Sequence, residues 1–333
     1  MDAATLAELW RFPVKSMGGQ RVDGVAVNPR GVHADRLWAV RDLENDITAS
    51  ARRMPALLGC LARYASAPGP DAGPGNAPEV VITLPDGSEV SSSDPGVHAR
   101  ISEAVGRDVR LTALPPVGDT SAHRLSVQQS RSTFSVAEVR RDFGLTGDEA
   151  LPDTSMFSAK QLLTLARFST PPGTFVDLGP VHLLSTASLA SLSPGEEHSD
   201  SYDVRRFRPN VLVEVGDPDG EFPEAGWVGS LLHIGTSTMR VTTPTIRCVV
   251  PTRPQPGLEL NRALTRRLAE RTDRFLGVYA DVTEPGMLRV GDEVRIEEAG
   301  PPTVVSRAAA TVGKTAMRGV QRLLEATVLR AGE

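Results

Sequence analysis

The sequence predicts a β-rich α+β fold in two parts, the first an all-β sheet or barrel and the second β-rich with a few inserted helices. Three observations predict it. Short runs of alternating or continuous apolar residues recur at close spacing, divided by Gly, Pro, Asn and Asp turns. The 333 residues are 40% hydrophobic, enough for two separate cores. Only two cysteines are present, Cys60 and Cys248, far apart and without CxxC spacing. The fold therefore rests on packing rather than on disulfides, a structural zinc or a cysteine-bound cluster.

Leu6 to Pro13 reads as the first strand, with Leu6, Glu8, Trp10 and Phe12 interleaving with Ala7, Leu9 and Arg11. Lys15-Ser16-Met17-Gly18-Gly19 follows as a tight turn. Val22 to Val27 is the next strand and Asn28-Pro29-Arg30-Gly31 its turn. Strands over Asp35 to Val40, Ile47 to Ala49, Glu79 to Leu84 and Val109 to Leu114 come next, with His98 to Val105 a short helix and Ser66 to Pro78 a surface loop. The first domain is expected over residues 1–116, ending at Pro115-Pro116.

A second domain is expected over residues 117–298. Its first 50 residues are less regular, with a helical turn over Val136 to Phe143. Val181 to Leu184 is an apolar strand, and Ser185 caps a helix over Thr186 to Leu192. Val211 to Val215, Trp227 to Ile234, Met239 to Thr242 and Ile246 to Val250 read as strands. Leu258 to Arg271 has helical spacing, and Met287 to Ile296 reads as a hairpin.

Residues 299–333 change texture. Val305, Ala309, Val312, Ala316, Val320, Leu323, Leu324 and Thr327 line one helical face, with Arg307, Lys314, Arg318 and Arg322 mostly elsewhere. A terminal amphipathic helix docked on the body is the expectation, and contact of its basic face with an anionic membrane is the alternative. Gly313 and Gly319 weaken either helix by roughly 1 kcal/mol each.

A net charge of -5 on a surface of mixed sign argues against nucleic acid and for a small-molecule ligand or a protein partner. The N-terminus has no basic start or long apolar run, and no stretch of 18 apolar residues could span a bilayer. A cytoplasmic protein is expected.

The chemistry centres on Thr243-Pro244-Thr245-Ile246-Arg247-Cys248-Val249-Val250-Pro251-Thr252-Arg253-Pro254, where a cysteine ends an apolar run beside an arginine. Lys15, Ser16, Arg36, Arg208, Asn210 and Arg247 also stand at strand ends or turns, where side chains can converge. Forked arginine donors, a lysine point charge and serine would suit a phosphate or another compact anion. Solvated strand arginines are the plain alternative for each. Cys60 is expected to be ordinary core.

Trp10-Arg11-Phe12-Pro13-Val14-Lys15-Ser16, followed by Gly31 and by Asp35-Arg36-Leu37-Trp38, resembles the start of the MOSC N-terminal β-barrel domain. Phe207-Arg208-Pro209-Asn210, Arg247-Cys248, Gly277-Val278-Tyr279, Pro285-Gly286 and Val290-Gly291-Asp292-Glu293-Val294 are similar in order and spacing to the MOSC domain, the fold of the molybdenum cofactor sulfurase C-terminal region and of amidoxime-reducing components. The resemblance runs over most of residues 6–297. It implies an N-terminal MOSC-type barrel followed by a MOSC barrel with inserted helices, with a molybdenum cofactor (Mo-molybdopterin) in the cleft between them.

On that resemblance Cys248 is the metal ligand, and Lys15, Ser16, Arg36, Arg208 and Asn210 hold the pterin phosphate and ring edges, with Arg247 and Tyr279 as neighbours. A thiolate is a soft ligand suited to a sulfur-rich metal centre, and the adjacent Arg247 is expected to lower its pKa. The implied activity is two-electron reduction of N-hydroxylated or N-oxide substrates, with electrons from a separate redox protein. Persulfide transfer or cofactor carriage through Cys248 is the alternative, and an anion-binding module with an incidental cysteine is a third reading. The chain departs from the amidoxime-reducing pattern at two places: Leu178-Gly179 follows Asp177 where relatives carry hydroxyl residues, and Thr252-Arg253-Pro254-Gln255 replaces a Thr-x-Asp-Pro turn.

Overall fold

The computed structural model describes residues 4–133, 135–147, 149–152, 156–193, 202–216 and 220–298. The helix expected over residues 299–333 lies outside the described residues.

The first strand, β1 (Ala4–Arg11), alternates toward the interior, and its Leu6 and Leu9 are fully buried. It pairs with the strand that follows it and with two strands from the second half of the chain. Two short strands follow, β2 (Gln20–Val22) and β3 (Gly24–Asn28), then β4 (Gly31–Val32), β5 (Trp38–Asp42), β6 (Ile47–Thr48), β7 (Leu61–Tyr64), β8 (Val80–Thr83), β9 (Glu89–Ser91), helix α1 (Val97–Val105) and β10 (Val109–Ala113). β10, β5 and β6 form one three-stranded sheet and β7, β8 and β9 another. Between them a core of Val14, Met17, Leu57, Cys60, Ile82, Ile101, Leu111, Phe175 and neighbours is closed to water.

Three helices fill the stretch that reads as irregular: α2 (Val127–Thr133), α3 (Val136–Phe143) and α4 (Ala159–Arg167). The start of α4 is written in the sequence as a capping box, Ser158 with Gln161 three residues on. After it come β11 (Val181–Ser185), α5 (Thr186–Leu192), β12 (Val211–Val215), β13 (Leu231–Ile234), β14 (Ser237–Ile246), α6 (Ala263–Thr272), β15 (Phe275–Glu284), β16 (Gly286–Arg289) and β17 (Glu293–Glu297). Ser185 caps α5 as expected, its hydroxyl accepting the Ser188 N–H at 3.0 Å.

Strands β12, β11, β15, β14, β13, β17 and β1 pair in that order, and β1 pairs back to β12, which closes a seven-stranded barrel; β2 extends it beside β1. The interior holds Leu6, Leu9, Leu183, Val213, Leu232, Ile234, Met239, Val278 and Ala280. Closure leaves no free edge among these seven strands. β11 and β12 run parallel, which requires a crossover, and α5 lies on that connection. Outside the barrel, Leu192 of α5 and Leu264 and Leu268 of α6 pack on Leu184, Leu212 and Leu276.

Four expectations are corrected. Met287 to Ile296 is not a hairpin: β16 pairs with β3, while β17 pairs with β1 and β13. Leu288, at 0% exposure, lies opposite Val25 of β3 and in the same core as Val25 and Val27. Met239–Thr242 and Ile246 belong to the single strand β14, and Val250 lies in a 3₁₀ turn. Helix α6 starts at Ala263 rather than Leu258, because Pro256 and Gly257 make a turn in which Gln255 and Leu258 exchange backbone hydrogen bonds. The Trp227–Ile234 run is strand only from Leu231, since Pro223–Trp227 is 3₁₀. No helix of the described residues is long and apolar enough to cross a membrane.

Candidate functional site

The loop after β1, the Asp35-Arg36 turn, the residues leading into β12 and the end of β14 face one cleft. It has about 820 Å³ of atom-free space, including its open mouth. Lys15, Ser16, Arg36, Arg208, Asn210, Arg247, Cys248 and Tyr279 all line it. Ser50, Ala51, Arg52, Asp177, Gly179, His182, Thr245 and Arg206 join them.

Three of these side chains are carried on a left-handed backbone: Ser16 at φ 70°, Arg36 at φ 50° and Arg208 at φ 56°. Each such position costs a non-glycine residue about 1 kcal/mol or more, and the surroundings hold it. The Ser16 hydroxyl accepts the Ala51 N–H at 2.9 Å. The Arg36 N–H donates to Phe12 O at 2.7 Å, and its guanidinium pairs with Asp35. Arg36 and Arg208 both lie against the Phe12 ring, at 4.9 and 4.3 Å from its centroid.

Arg208 Nη1 donates to Met17 O at 2.6 Å, while its Nη2 is buried with no hydrogen-bond partner among the described residues. Burial, with Arg36 nearby, pushes its guanidinium down to about 9. Thr245 Oγ1 on the same cleft is also buried without a partner. Unpaired buried donors are costly, and two of them lie on this cationic cleft. Lys15, 5% exposed, donates to Asp177 at 2.5 Å and to Phe175 O at 3.1 Å. Burial draws the Lys15 ammonium down, opposed by Asp177. The Asp177 side chain is 67% exposed, and Lys15 and then Arg52 hold its carboxylate well below the usual carboxylate range.

Two expected ligand-binding residues spend their polar groups on the protein. Asn210 accepts the His182 N–H at 3.2 Å and donates to Trp10 O and Asp35, tying β1, β11 and the Arg36 turn together. Arg247 donates to Leu276 O at 2.8 Å, to Phe207 O at 3.1 Å and to His182 Nε2 at 2.6 Å. Because arginine only donates, His182 accepts at Nε2 and its Nδ1–H faces Arg208 O at 3.3 Å. Burial, then Arg247, keep His182 well below its usual pKa and neutral. Arg247 therefore braces the strained backbone of Arg208 through His182. Gly277, at φ 77°, makes room, since a Cβ there would stand 2.6 Å from His182 Nε2.

Arg247 does lower the Cys248 pKa, as expected, but it is outweighed. Burial raises the Cys248 thiol above its ordinary pKa; Arg52 opposes it most, then the Val250 N–H, and Arg247 comes last because its guanidinium points inward. Tyr279 packs against His182 at 5.5 Å between centroids, and burial pushes its hydroxyl up to about 12, so it stays a donor. Gly179 lies flat on that ring: a Cβ would meet Tyr279 Cβ at 2.6 Å. The missing side chain after Asp177 is thus a packing requirement of Tyr279.

Sequence reasoning missed Arg52, His182 and Arg206. Arg52 reads as half of an exposed Arg-Arg pair, and His182 as one residue of an apolar strand. Arg206, 2% exposed, donates to Pro251 O, Arg253 O and Glu259 O and so pins the loop after Cys248; only its place in the Arg205-Arg206-Phe207-Arg208 cluster hints at it.

Residues 3–107 match the MOSC N-terminal beta barrel domain, and residues 172–295 match the MOSC domain. The chain is 25% identical over 319 residues to mitochondrial amidoxime reducing component 2 of Bos taurus, covering 88% of this chain and 83% of that one. Its human counterpart is 26% identical over 322 residues, with 88% and 83% covered. A crystal structure of the YuaD protein from Bacillus subtilis aligns over 90% of this chain and 97% of its own, at 12% identity and a TM-score of 0.38. With both domain matches in order along one chain, and the two sheets and closed barrel that they frame, this protein belongs to the MOSC domain family.

Proposed function

We propose that the cleft binds a molybdenum cofactor with Cys248 as its protein ligand, and that the protein is an oxidoreductase acting on N-hydroxylated or N-oxide compounds. The observation that carries this reading is the pairing of one soft thiol with buried, unsatisfied donors, Arg208 Nη2 and Thr245 Oγ1, on a single cleft. Among the described residues no group of three or more His, Cys, Asp or Glu could hold a bare metal ion. A metal beside Cys248 must therefore bring its other ligands with it, as a metal–pterin complex does, and the anionic part of such a group suits the cations. The amidoxime-reducing names of the curated relatives support the choice of reaction.

In this reading Lys15, Ser16, Arg36 and Arg208 bind the phosphate and polar edges of the cofactor. Asn210, Arg247 and His182 hold those residues in place, and Tyr279 forms a wall with a protonated hydroxyl. Cys248 must lose its proton to ligate; the Val250 N–H stabilises the thiolate, and the proton leaves to solvent. When bound, the cofactor supplies the two-electron redox chemistry, for which the protein provides binding and orientation. An amidoxime would take two electrons and two protons to give an amidine and water, the electrons coming from a separate redox protein.

The test is to purify the chain from a host that makes the cofactor and to assay an aryl amidoxime with reduced viologen as donor. Molybdenum with amidine formation is the expected result. Molybdenum without turnover would make the protein a carrier, and sulfane sulfur on Cys248 without molybdenum would make it a persulfide carrier; either overturns the reductase reading.

A further inference from the structure

The cations of the cleft differ in depth and in how their donors are used. Lys15 and Arg36 side chains are 5% and 13% exposed and Arg247 is 8% exposed, each held by a close protein partner. Arg52 is 36% exposed, at the rim. Its carboxylate partner, buried Asp142, stands at 3.4 Å and is already engaged by Arg53 at 3.1 Å. Arg53 is fixed in turn by donating to Thr133 O at 3.0 Å, so it anchors the rim to α2 and α3 and leaves Arg52 weakly held. No ion pair joins Arg52 to Asp177 among the described residues, although both line the cleft.

Arg52 lines the same cleft as Cys248. Its backbone is pinned beside the deep site, since the neighbouring Ala51 N–H donates to Ser16 Oγ. A fixed backbone with a forked, weakly paired head is suited to a ligand that comes and goes, whereas the deep cations suit one that stays.

We propose that Arg52 is a substrate-binding residue, which selects N-oxygenated compounds carrying a carboxylate by pairing that carboxylate at the cleft rim beside Cys248. The inference rests on the reductase reading above, and its test separates the two. The purified full chain and its Arg52→Gln and Arg52→Lys variants are compared for molybdenum content, melting temperature, and KM and kcat on an aryl amidoxime and its para-carboxylate, with reduced viologen as donor. Molybdenum content should be equal in all three. In Arg52→Gln the KM for the carboxylated compound should rise about tenfold or more and that for the neutral compound less than about threefold, with Arg52→Lys in between.

Equal changes for both compounds would overturn the proposal, as would a parent enzyme that does not favour the carboxylate. Loss of molybdenum in Arg52→Gln would place the residue in the cofactor cradle instead. If the parent holds no molybdenum the reductase reading fails, and calorimetry with benzoate still decides this one: parent binding weakened about tenfold in Arg52→Gln supports it, and equal or absent binding overturns it.

Discussion

The molecule holds its two thiols in opposite surroundings. Cys60 is 0% exposed among Met17, Leu57, Ile82 and other apolar side chains of the N-terminal sheets, and burial pushes it up to about 11. Cys248 is half-buried at the end of β14, and burial raises it too. Neither thiol is activated by pKa alone. What separates them is the company: apolar contacts around the first, and Arg52, the Val250 N–H and a cationic cleft around the second. Around Cys248, Arg52 and the Val250 N–H offset part of the cost that burial puts on the thiolate, whereas burial alone acts on Cys60.

The contrast should appear most strongly in alkylation of the cofactor-free chain followed by mass spectrometry. Cys248 should react on the order of 100-fold faster or more, because Cys60 reacts only when its core opens. Comparable rates would erase the distinction.

Next in size, Arg208→Ala and Lys15→Ala should each lower molybdenum occupancy about tenfold while melting changes little. Arg208→Ala removes a buried unpaired donor, which offsets lost packing. Full occupancy with a large melting loss would assign these residues to the fold instead.

A pair of glycine substitutions sharpens the comparison between cleft and N-terminal sheets. Gly179→Ala should cost about 1–3 kcal/mol in denaturant unfolding and disturb the Tyr279 ring, because the new Cβ would overlap it. Gly87→Ala, at φ 83° with nothing within 4 Å, should cost about 1 kcal/mol from backbone strain alone.

The smallest effect is on pH dependence. His123, packed against Phe175 with the rings tilted and hydrogen-bonded to Thr170, is drawn down to about 4 by burial, and His182 lies well below its ordinary value. Their folded pKa values are depressed, so the unfolded chain binds more protons below about pH 6.5. The stability they contribute is present above that pH and is lost as pH falls toward 4. The melting temperature should decline across this window, and His123→Gln should flatten the decline. An unchanged slope would remove His123 from the account.

Much of this was readable because it is local. Lys15, Ser16 and Arg36 sit in compact turn motifs, and Ser185 announces its helix with a capping hydroxyl. Barrel closure was not, because β1 and β12 meet across some 200 residues and neither strand encodes its partner. The hairpin that reads from Met287 to Ile296 fails for the same reason: the pattern reports strands, and long-range packing chooses their neighbours. The direction of Arg247 was also hidden. Adjacency to Cys248 in sequence says nothing about where a long side chain finds its acceptors, and here they lie inward at Leu276, Phe207 and His182. Arg52 carries no local signal beyond a charged pair before Pro55.

The most direct measurement is molybdenum and pterin per chain in the parent, Cys248→Ala and Cys60→Ala proteins, purified alike from a host that makes the cofactor. The predicted result is near-stoichiometric content in the parent and in Cys60→Ala, and almost none in Cys248→Ala despite an unchanged melting temperature. Equal content in Cys248→Ala, or none in the parent, would contradict the assignment of Cys248 as the ligand.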